Sequence, residues 1–242
     1  MNKKELINSG KVKSVYTTDN TEEVLIEFRD DMTAGDGDRK EVMSNKGIFN
    51  AVISSKIFKV LEENGVETHF INLPEPYIMI AKKLDMIPIE VIVRNIATGS
   101  LIRKYPFVEG TKLDPPIVQM DFKADEYHDP MLNDSIIKAL KIATQEEIDI
   151  LTKKALKINE ILTKFFKDAG IILVDYKIEF GRDKNNNIIL GDEISPDSCR
   201  LWDSETLDML DKELFRKGKD SEVMNAYMEV YNRIIPDSEK VI

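Results

Sequence analysis

The chain lacks what several large enzyme classes require. Among its 242 residues there is one cysteine, Cys199. A single thiol cannot close an internal disulfide, so a reducing, cytoplasmic setting is expected. Histidine is almost as scarce, present only at His69 and His128. Two imidazoles and one thiol leave almost no room for a His/Cys zinc site or a Cys–His nucleophile pair. A metal here would need carboxylate ligands, which selects Mg²⁺ or Mn²⁺. The patterns GxSxG, GxxxxGK[ST] and GxGxxG do not occur. That removes the hydrolase elbow, the Walker A loop and the dinucleotide fingerprint. No apolar run approaches the ~20 residues of a membrane span. The opening MNKKELINSG has no apolar h-region, so no secretory leader is expected.

Positive charge is also in deficit. Lys and Arg number 34 against 44 Asp and Glu, a formal net charge of -10. A broad nucleic-acid surface is not expected on such a chain, because phosphate binding needs an extended positive field. An acidic protein can still hold anions, but only where Lys and Arg are concentrated in a pocket.

The segments that are present outline an α+β chain. KVKSVYTT and EEVLIEFR alternate as a hairpin. DDMTAGDGDRK reads as a polar loop, and a helix capped by Ser44 or Asn45 runs to Gly65. ETHFINLP, PYIMIAKK and IPIEVIVRN read as strands. Residues 106–133 hold four prolines and read as mostly loop, with one strand near PIVQMDF. A long helix follows, with Thr144 and Glu147 as a capping box and Gly170 at its end. IILVDYKIEF and NNIILGDEI form a second hairpin, and helices at 204–217 and 220–235 finish the chain. The expected architecture is a small β-rich lobe (1–84) and a larger α/β lobe (85–242), with a hinge near 82–86 and a ligand cleft between.

Four stretches carry candidate chemistry. In SGKVKSVY, period two places Lys11 and Lys13 on one strand face, and Gly10 lets backbone N–H groups approach a phosphate. A solvated hairpin edge is the plainer reading. In LVDYKIEFG, alternation puts Asp175, Lys177 and Glu179 on one face and Val174, Tyr176 and Ile178 on the other. Its hairpin partner ends in Gly191-Asp192-Glu193, which brings Asp192 toward Glu179. Two facing carboxylates repel unless a cation lies between them. Glu193, one residue further on, should alternate to the opposite face. In IPIEVIVRNIATGS, Arg94 with Ser100 suggests a phosphate pocket, and a structural Glu90–Arg94 pair competes with it. The loop at 30–47, with Asp36 and Lys46, reads as a lid or as a plain surface turn. Asp129 beside His128 reads as a turn cap or a distal metal contact. Cys199 is expected to be inert and Trp202 to pack.

Taken together, GKVKSVY, EFRDDMTAGDGDRK, KKLDMIPIEVIVRNIATGS, HDPM, LVDYKIEFG and GDEISPDSCRLWD resemble the SAICAR synthetase family, in order and over nearly the full length. The resemblance implies a two-lobed fold related to ATP-grasp enzymes. It implies an ATP- and Mg²⁺-dependent ligase joining L-aspartate to the carboxylate of carboxyaminoimidazole ribotide (CAIR), and a homodimer. It implies Gly10, Lys11 and Lys13 as a phosphate cradle, Lys82 and Met86 on the adenine side, and Lys123 in the nucleotide site. Glu179 and Asp192 become Mg²⁺ ligands. Arg94, Ser100, Lys177, Asp197 and Arg200 become the ribotide site. Lys13, Lys177 and Asp175 become the catalytic group, with Asp36 and Asp175 as candidates for handling aspartate. Two readings compete: a small-molecule kinase on a related scaffold, and a nucleotide-sensing module without turnover.

Overall fold

Two large antiparallel sheets and a separate two-stranded one make up the β structure of the computed structural model, which describes residues 3–34 and 39–242. The first part supplies β1 (Leu6–Ser9), β2 (Lys13–Thr17), β3 (Glu23–Phe28), β4 (Asp31–Ala34), β5 (Arg39–Val42), α1 (Lys46–Glu63), β6 (Phe70–Glu75) and β7 (Ile78–Lys82). The second supplies β8 (Asp85–Ile96), α2 (Ser100–Lys104), β9 (Lys112–Phe122), β10 (Met131–Leu132), α3 (Asp134–Ala139), α4 (Gln145–Asp168), β11 (Ile171–Arg182), β12 (Ile188–Gly191), β13 (Cys199–Asp203), α5 (Glu213–Arg216) and α6 (Asp220–Ile234).

The first sheet has the order β1-β2-β3-β7-β6, and the second β10-β9-β8-β11-β12 with β13 also on β11. The chain therefore changes sheet between Lys82 and Asp85. Buried side chains from both sheets nevertheless join one apolar cluster, including Ile26, Met79, Val91 and Ile178. Helix α1 lies within this cluster. It is buried on nearly every side, from Phe49 through Ile53 and Ile57 to Leu61, as expected of a helix enclosed by a core rather than laid on its surface.

Strand β11 organises the site. Its apolar face, with Val174, Tyr176, Ile178 and Phe180, is fully buried. The Tyr176 hydroxyl donates to the Ala155 carbonyl of α4 at 2.8 Å. Helix α4 is held at its start by the expected box: Thr144 Oγ1 accepts from Glu147 N, and Glu147 returns the bond to Thr144 N. Such caps contribute about 1 kcal/mol. One edge of β11 pairs with β8 over most of its length. The other edge changes partner. Ile171–Tyr176 pair with β13, whereas Glu179–Arg182 pair with β12. Residues 192–198 cross that change of partner, and Lys177 N donates to Ser198 O at 2.8 Å there.

Several local expectations are corrected. Residues 31–34 and 39–42 form the β4–β5 hairpin rather than a loop. Lys46 is no lid residue: it is the first residue of α1 and is fully buried. Between 106 and 133 lies the 11-residue strand β9, longer than the PIVQMDF segment. Only Glu213–Arg216 of the expected 204–217 helix is helical. Asp203 instead binds the N–H groups of Glu205 and Thr206, and these side-chain bonds favour a turn over a first helical turn. Strands β1 and β13 and the short α3 had no clear period in the sequence.

Candidate active site

The polar face of β11 carries Asp175, Lys177 and Glu179, as alternation requires. Each is met by an opposite charge, from the adjoining β8 and β13 or from the residue after β9. Asp175 receives Arg94 Nη1 at 3.2 Å from β8 and Arg200 Nη1 at 2.9 Å from β13. Lys177 donates to Glu90 at 2.5 Å. Glu179 receives Lys123 Nζ on both oxygens, at 2.6 and 2.5 Å. The expected Glu90–Arg94 pair is therefore not formed. The two residues share a face, but the register places Lys177 and Asp175 across from that face, and each takes one of them.

The residues suggested for a phosphate site come together. Arg94 Nη2 donates to Ser100 Oγ at 3.0 Å. Gly99, before α2, has φ 59° and ψ -126°, a region reserved in practice for glycine. A Cβ there would lie 2.6 Å from Arg200 Nη2. Gly99 thus admits Arg200 beside Arg94 and Ser100. These residues line a cleft of about 370 Å³ together with Lys177, Asp175 and Thr33 of the β4–β5 hairpin. Among the described residues, six cationic side chains (Lys11, Arg94, Lys177, Arg200, Lys212, Arg216) face two carboxylates (Asp175, Asp197) on its walls. In a chain of net charge -10, this is a local concentration of cations of the kind that anion binding by an acidic protein would require.

A second cluster adjoins it across β11. Lys13 Nζ is ion-paired with both Asp192 and Glu193. The expectation that Glu193 turns to the opposite face is corrected. Strand β12 ends at Gly191, and Asp192 has φ 61°. That left-handed step breaks the alternation, so successive carboxylates reach the same ammonium. Burial raises the proton affinity of Glu193, and Lys13 overrides it, holding the carboxyl below its usual range. Glu179 lies directly across the ladder from Gly191, next to Asp192. Met86 packs over this end of the hairpin, with Sδ within 3.1 Å of a Cβ built on Gly181 and 3.3 Å of one on Gly191. Lys82 ends β7 opposite Glu23. Lys11 pairs with Asp125 at 3.0 Å. Gly10 closes a turn whose N–H is taken by Lys13 O at 2.9 Å. Asp36 lies outside the described residues.

Asp197 is more deeply engaged than the sequence suggested. Its Oδ2 lies 2.6 Å from Lys46 Nζ, and Oδ1 accepts from the Tyr227 hydroxyl at 2.5 Å. Burial would raise its pKa, but Lys46, Lys212 and Tyr227 hold it well below the carboxylate range. The same helix also holds the loop three residues earlier, for Ser54 Oγ donates to Ile194 O at 3.0 Å. Lys46, Asn50 and Ser54 are buried polar residues spaced by four, so one stripe of α1 faces the 194–197 loop. That spacing was the available signal. Lys46 was grouped with the lid instead, and Lys212 gave no signal at all. Asp129 Oδ1 accepts from Ala124 N at 2.9 Å, the turn-capping role. Cys199 is buried, and burial pushes its thiol above the usual range, as suits an inert residue.

The chain can be compared with known proteins on this geometry. A family model described as SAICAR synthetase matches residues 6–234. A phosphoribosylaminoimidazole-succinocarboxamide synthase of Methanobrevibacter smithii is 80% identical over 241 residues, covering 100% of this chain and 99% of the relative. One of the same name from Methanocaldococcus jannaschii is 57% identical over 232 residues, covering 96% and 95%. A SAICAR synthetase solved in complex with ADP superposes with a TM-score of 0.93 at 46% identity, over 98% of this chain and 100% of that one. The SAICAR synthetase of Pyrococcus horikoshii gives 0.89 at 46% identity, over 95% and 99%. With sequence agreement across the whole length and the same mixed α/β fold, this chain belongs to the SAICAR synthetase family.

Proposed function

We propose that this protein is an ATP-dependent ligase of purine biosynthesis that joins the amine of L-aspartate to the carboxylate of CAIR, giving SAICAR, ADP and phosphate. One observation carries the reading: a cation-lined cleft beside a row of carboxylates, both built on β11. A carboxylate is a poor acyl donor because oxide is a poor leaving group. Transfer of the γ-phosphoryl group to the CAIR carboxylate releases ADP and makes an acyl phosphate. Attack by the aspartate amine then forms the C–N bond, expels phosphate and loses a proton.

Every substrate of this reaction is an anion. Arg94, Ser100 and Arg200 would take the ribotide phosphate, and Lys177 the carboxylate being activated. Lys13, with Lys11 and Gly10, would take the ATP phosphates. Met86 and Lys82 would flank the adenine, and Lys123 would belong to the same nucleotide site. Asp175 holds Arg94 and Arg200 in place, and Asp197 braces the loop beneath them. Asp36 remains a candidate for the aspartate side. Assembling three substrates in line can remove roughly 7–11 kcal/mol of barrier.

Glu179 and Asp192 suit Mg²⁺. They offer hard oxygen donors from β11 and from the residue just past β12, each already matched by an ammonium group. Mg²⁺ is commonly held by one or two carboxylates plus substrate phosphates. When bound, it would neutralise charge on the ATP phosphates.

The reading treats the parts either side of residues 84–85 as two ATP-grasp-related lobes and the protein as a cytoplasmic homodimer. Exposed Tyr105, Phe107, Met131 and Ile136 support the dimer. Light scattering coupled to size exclusion tests it. For the reaction, ¹⁸O placed in the CAIR carboxylate should appear in released phosphate, and unlabelled phosphate would exclude the acyl phosphate. ADP release should require aspartate. A kinase would release ADP without it, and a sensing module would release none.

A further inference from the structure

The cations that line the cleft differ in how far the protein already satisfies them. Arg94 is held by Asp175 and Ser100. Arg200 is held by Asp175 and Glu213, Lys177 by Glu90, Arg216 by Glu213 and Lys11 by Asp125. Lys212 is the exception. Its side chain lines the cleft yet makes no ion pair or side-chain hydrogen bond among the described residues. The carboxylate that acts on it most strongly, Asp197, is committed to Lys46 and Tyr227.

Its backbone is fixed. Lys212 N donates to Pro196 O at 3.1 Å. The preceding Asp211 is fully buried and accepts from Leu201 N at 2.8 Å and Glu213 N at 2.7 Å. The side chain is thus rooted on a hydrogen-bonded segment at the cleft wall. Burial, followed by the charges of Lys46 and Arg216, lowers its pKa despite the pull of Asp197. An anion entering beside it would relieve that penalty.

This inference rests on the ligase reading. In that reading Arg94, Ser100, Arg200 and Lys177 would serve the ribotide anions, and Lys13 with Lys11 the ATP phosphates. The third substrate carries two carboxylates, and of the two described cleft cations not given a substrate, Arg216 is already paired with Glu213 while Lys212 is not. We propose that the Lys212 ammonium binds a carboxylate of the amine substrate, L-aspartate, and so sets its affinity and orients its amine.

The test is steady-state kinetics on Lys212→Met, which keeps the stem volume, and on Lys212→Arg, which keeps the charge. The Met variant should raise KM for aspartate roughly 10- to 100-fold, the range for losing a charge-assisted hydrogen bond. KM for ATP and CAIR should stay within about twofold, and the Arg variant should lose less. Inhibition by succinate, which has both carboxylates and no amine, should weaken by the same factor as aspartate. An unchanged KM for aspartate overturns the assignment, as does a rise confined to CAIR. Weaker turnover with unweakened succinate inhibition also overturns it, because the lysine would then act on the amine. If the unsubstituted enzyme makes no aspartate-dependent ADP, the ligase reading fails. If it does and the Met variant matches it, only this inference fails.

Discussion

Lys46 Nζ lies 2.6 Å from Asp197 Oδ2, with the two side chains 0% and 5% exposed. The pair joins the start of α1 to the loop that crosses the partner change of β11, and Tyr227 of α6 completes it. Removing one partner leaves an uncompensated buried charge, which costs about 3–5 kcal/mol. Lys46→Met should therefore lower the urea-unfolding free energy by that amount. Lys46→Met combined with Asp197→Leu should recover part of the loss, because no charge is then stranded. Equal stability of the single variant and the parent would show that the pair contributes nothing.

Lys13→Ala separates the ammonium from two carboxylates at once. Asp192 and Glu193 would then repel each other and the ATP phosphates. The expected outcome is a fall in kcat/KM for ATP of about 100-fold or more, which is ~2.7 kcal/mol of lost transition-state stabilisation. Far-UV circular dichroism should be unchanged. A kcat/KM for ATP equal to the parent's would remove Lys13 from the phosphate site.

Gly99→Ala tests whether a glycine holds the phosphate pocket open. The backbone is in a glycine-only region, and the new methyl would press on the Arg200 guanidinium. Strain of this kind costs about 1–3 kcal/mol. The variant should lose stability in that range and raise KM for CAIR more than KM for ATP. Equal increases for both substrates would place the damage elsewhere.

Asp211 should make stability depend on pH. Burial pushes its carboxyl up from 3.8 to about 7, although Leu201 N, Glu213 N, Arg200 and Arg216 all favour the ionised form. A carboxyl raised in the folded state stabilises below its unfolded pKa, and that contribution is lost as pH rises through the folded one. The window is therefore pH 4 to 7, with a ceiling of roughly 4 kcal/mol. Urea midpoints of the parent should fall across this window relative to those of Asp211→Asn. Parallel pH profiles for the two proteins would contradict the assignment.

The parts of the site that were legible in the sequence are those set by short-range periodicity. Period two placed Asp175, Lys177 and Glu179 on one face, and the tight run from Arg94 to Ser100 kept that pair local. Glu193 was misplaced because alternation assumes continuous extended backbone, and Asp192 interrupts it with φ 61°. The Glu90–Arg94 pairing failed for a related reason. Sequence spacing shows which residues share a face, but register decides which opposite charge arrives from the next strand. Lys46 and Asp197 meet only because α1 is buried beneath the 192–198 crossing. Among the described residues, Lys212 keeps an unpaired charge at the cleft only because Asp197 is already taken. The four-residue polar spacing on α1 marks the helix face involved, but neither pairing partner has a local signature.

Arg39 links the β4–β5 hairpin to the far wall. Its Nη1 donates to Phe215 O at 2.6 Å, its guanidinium lies 4.1 Å from the centre of the Phe215 ring, and it is ion-paired with Asp220. Thr33 and Ala34 of the same hairpin line the cleft, so these contacts hold a wall over the place where an acyl phosphate would form. Arg39 and Asp220 are both about 40% exposed, so losing the pair should cost little stability, roughly 1 kcal/mol or less. The larger effect should be chemical. A loosened hairpin admits water, which competes with the amine for the activated carboxylate. Arg39→Met should therefore release more phosphate than SAICAR, while the parent releases them one to one. Measuring phosphate and SAICAR in the same reaction decides it. One-to-one stoichiometry in the variant at an unchanged kcat would mean that the hairpin does not exclude water through Arg39.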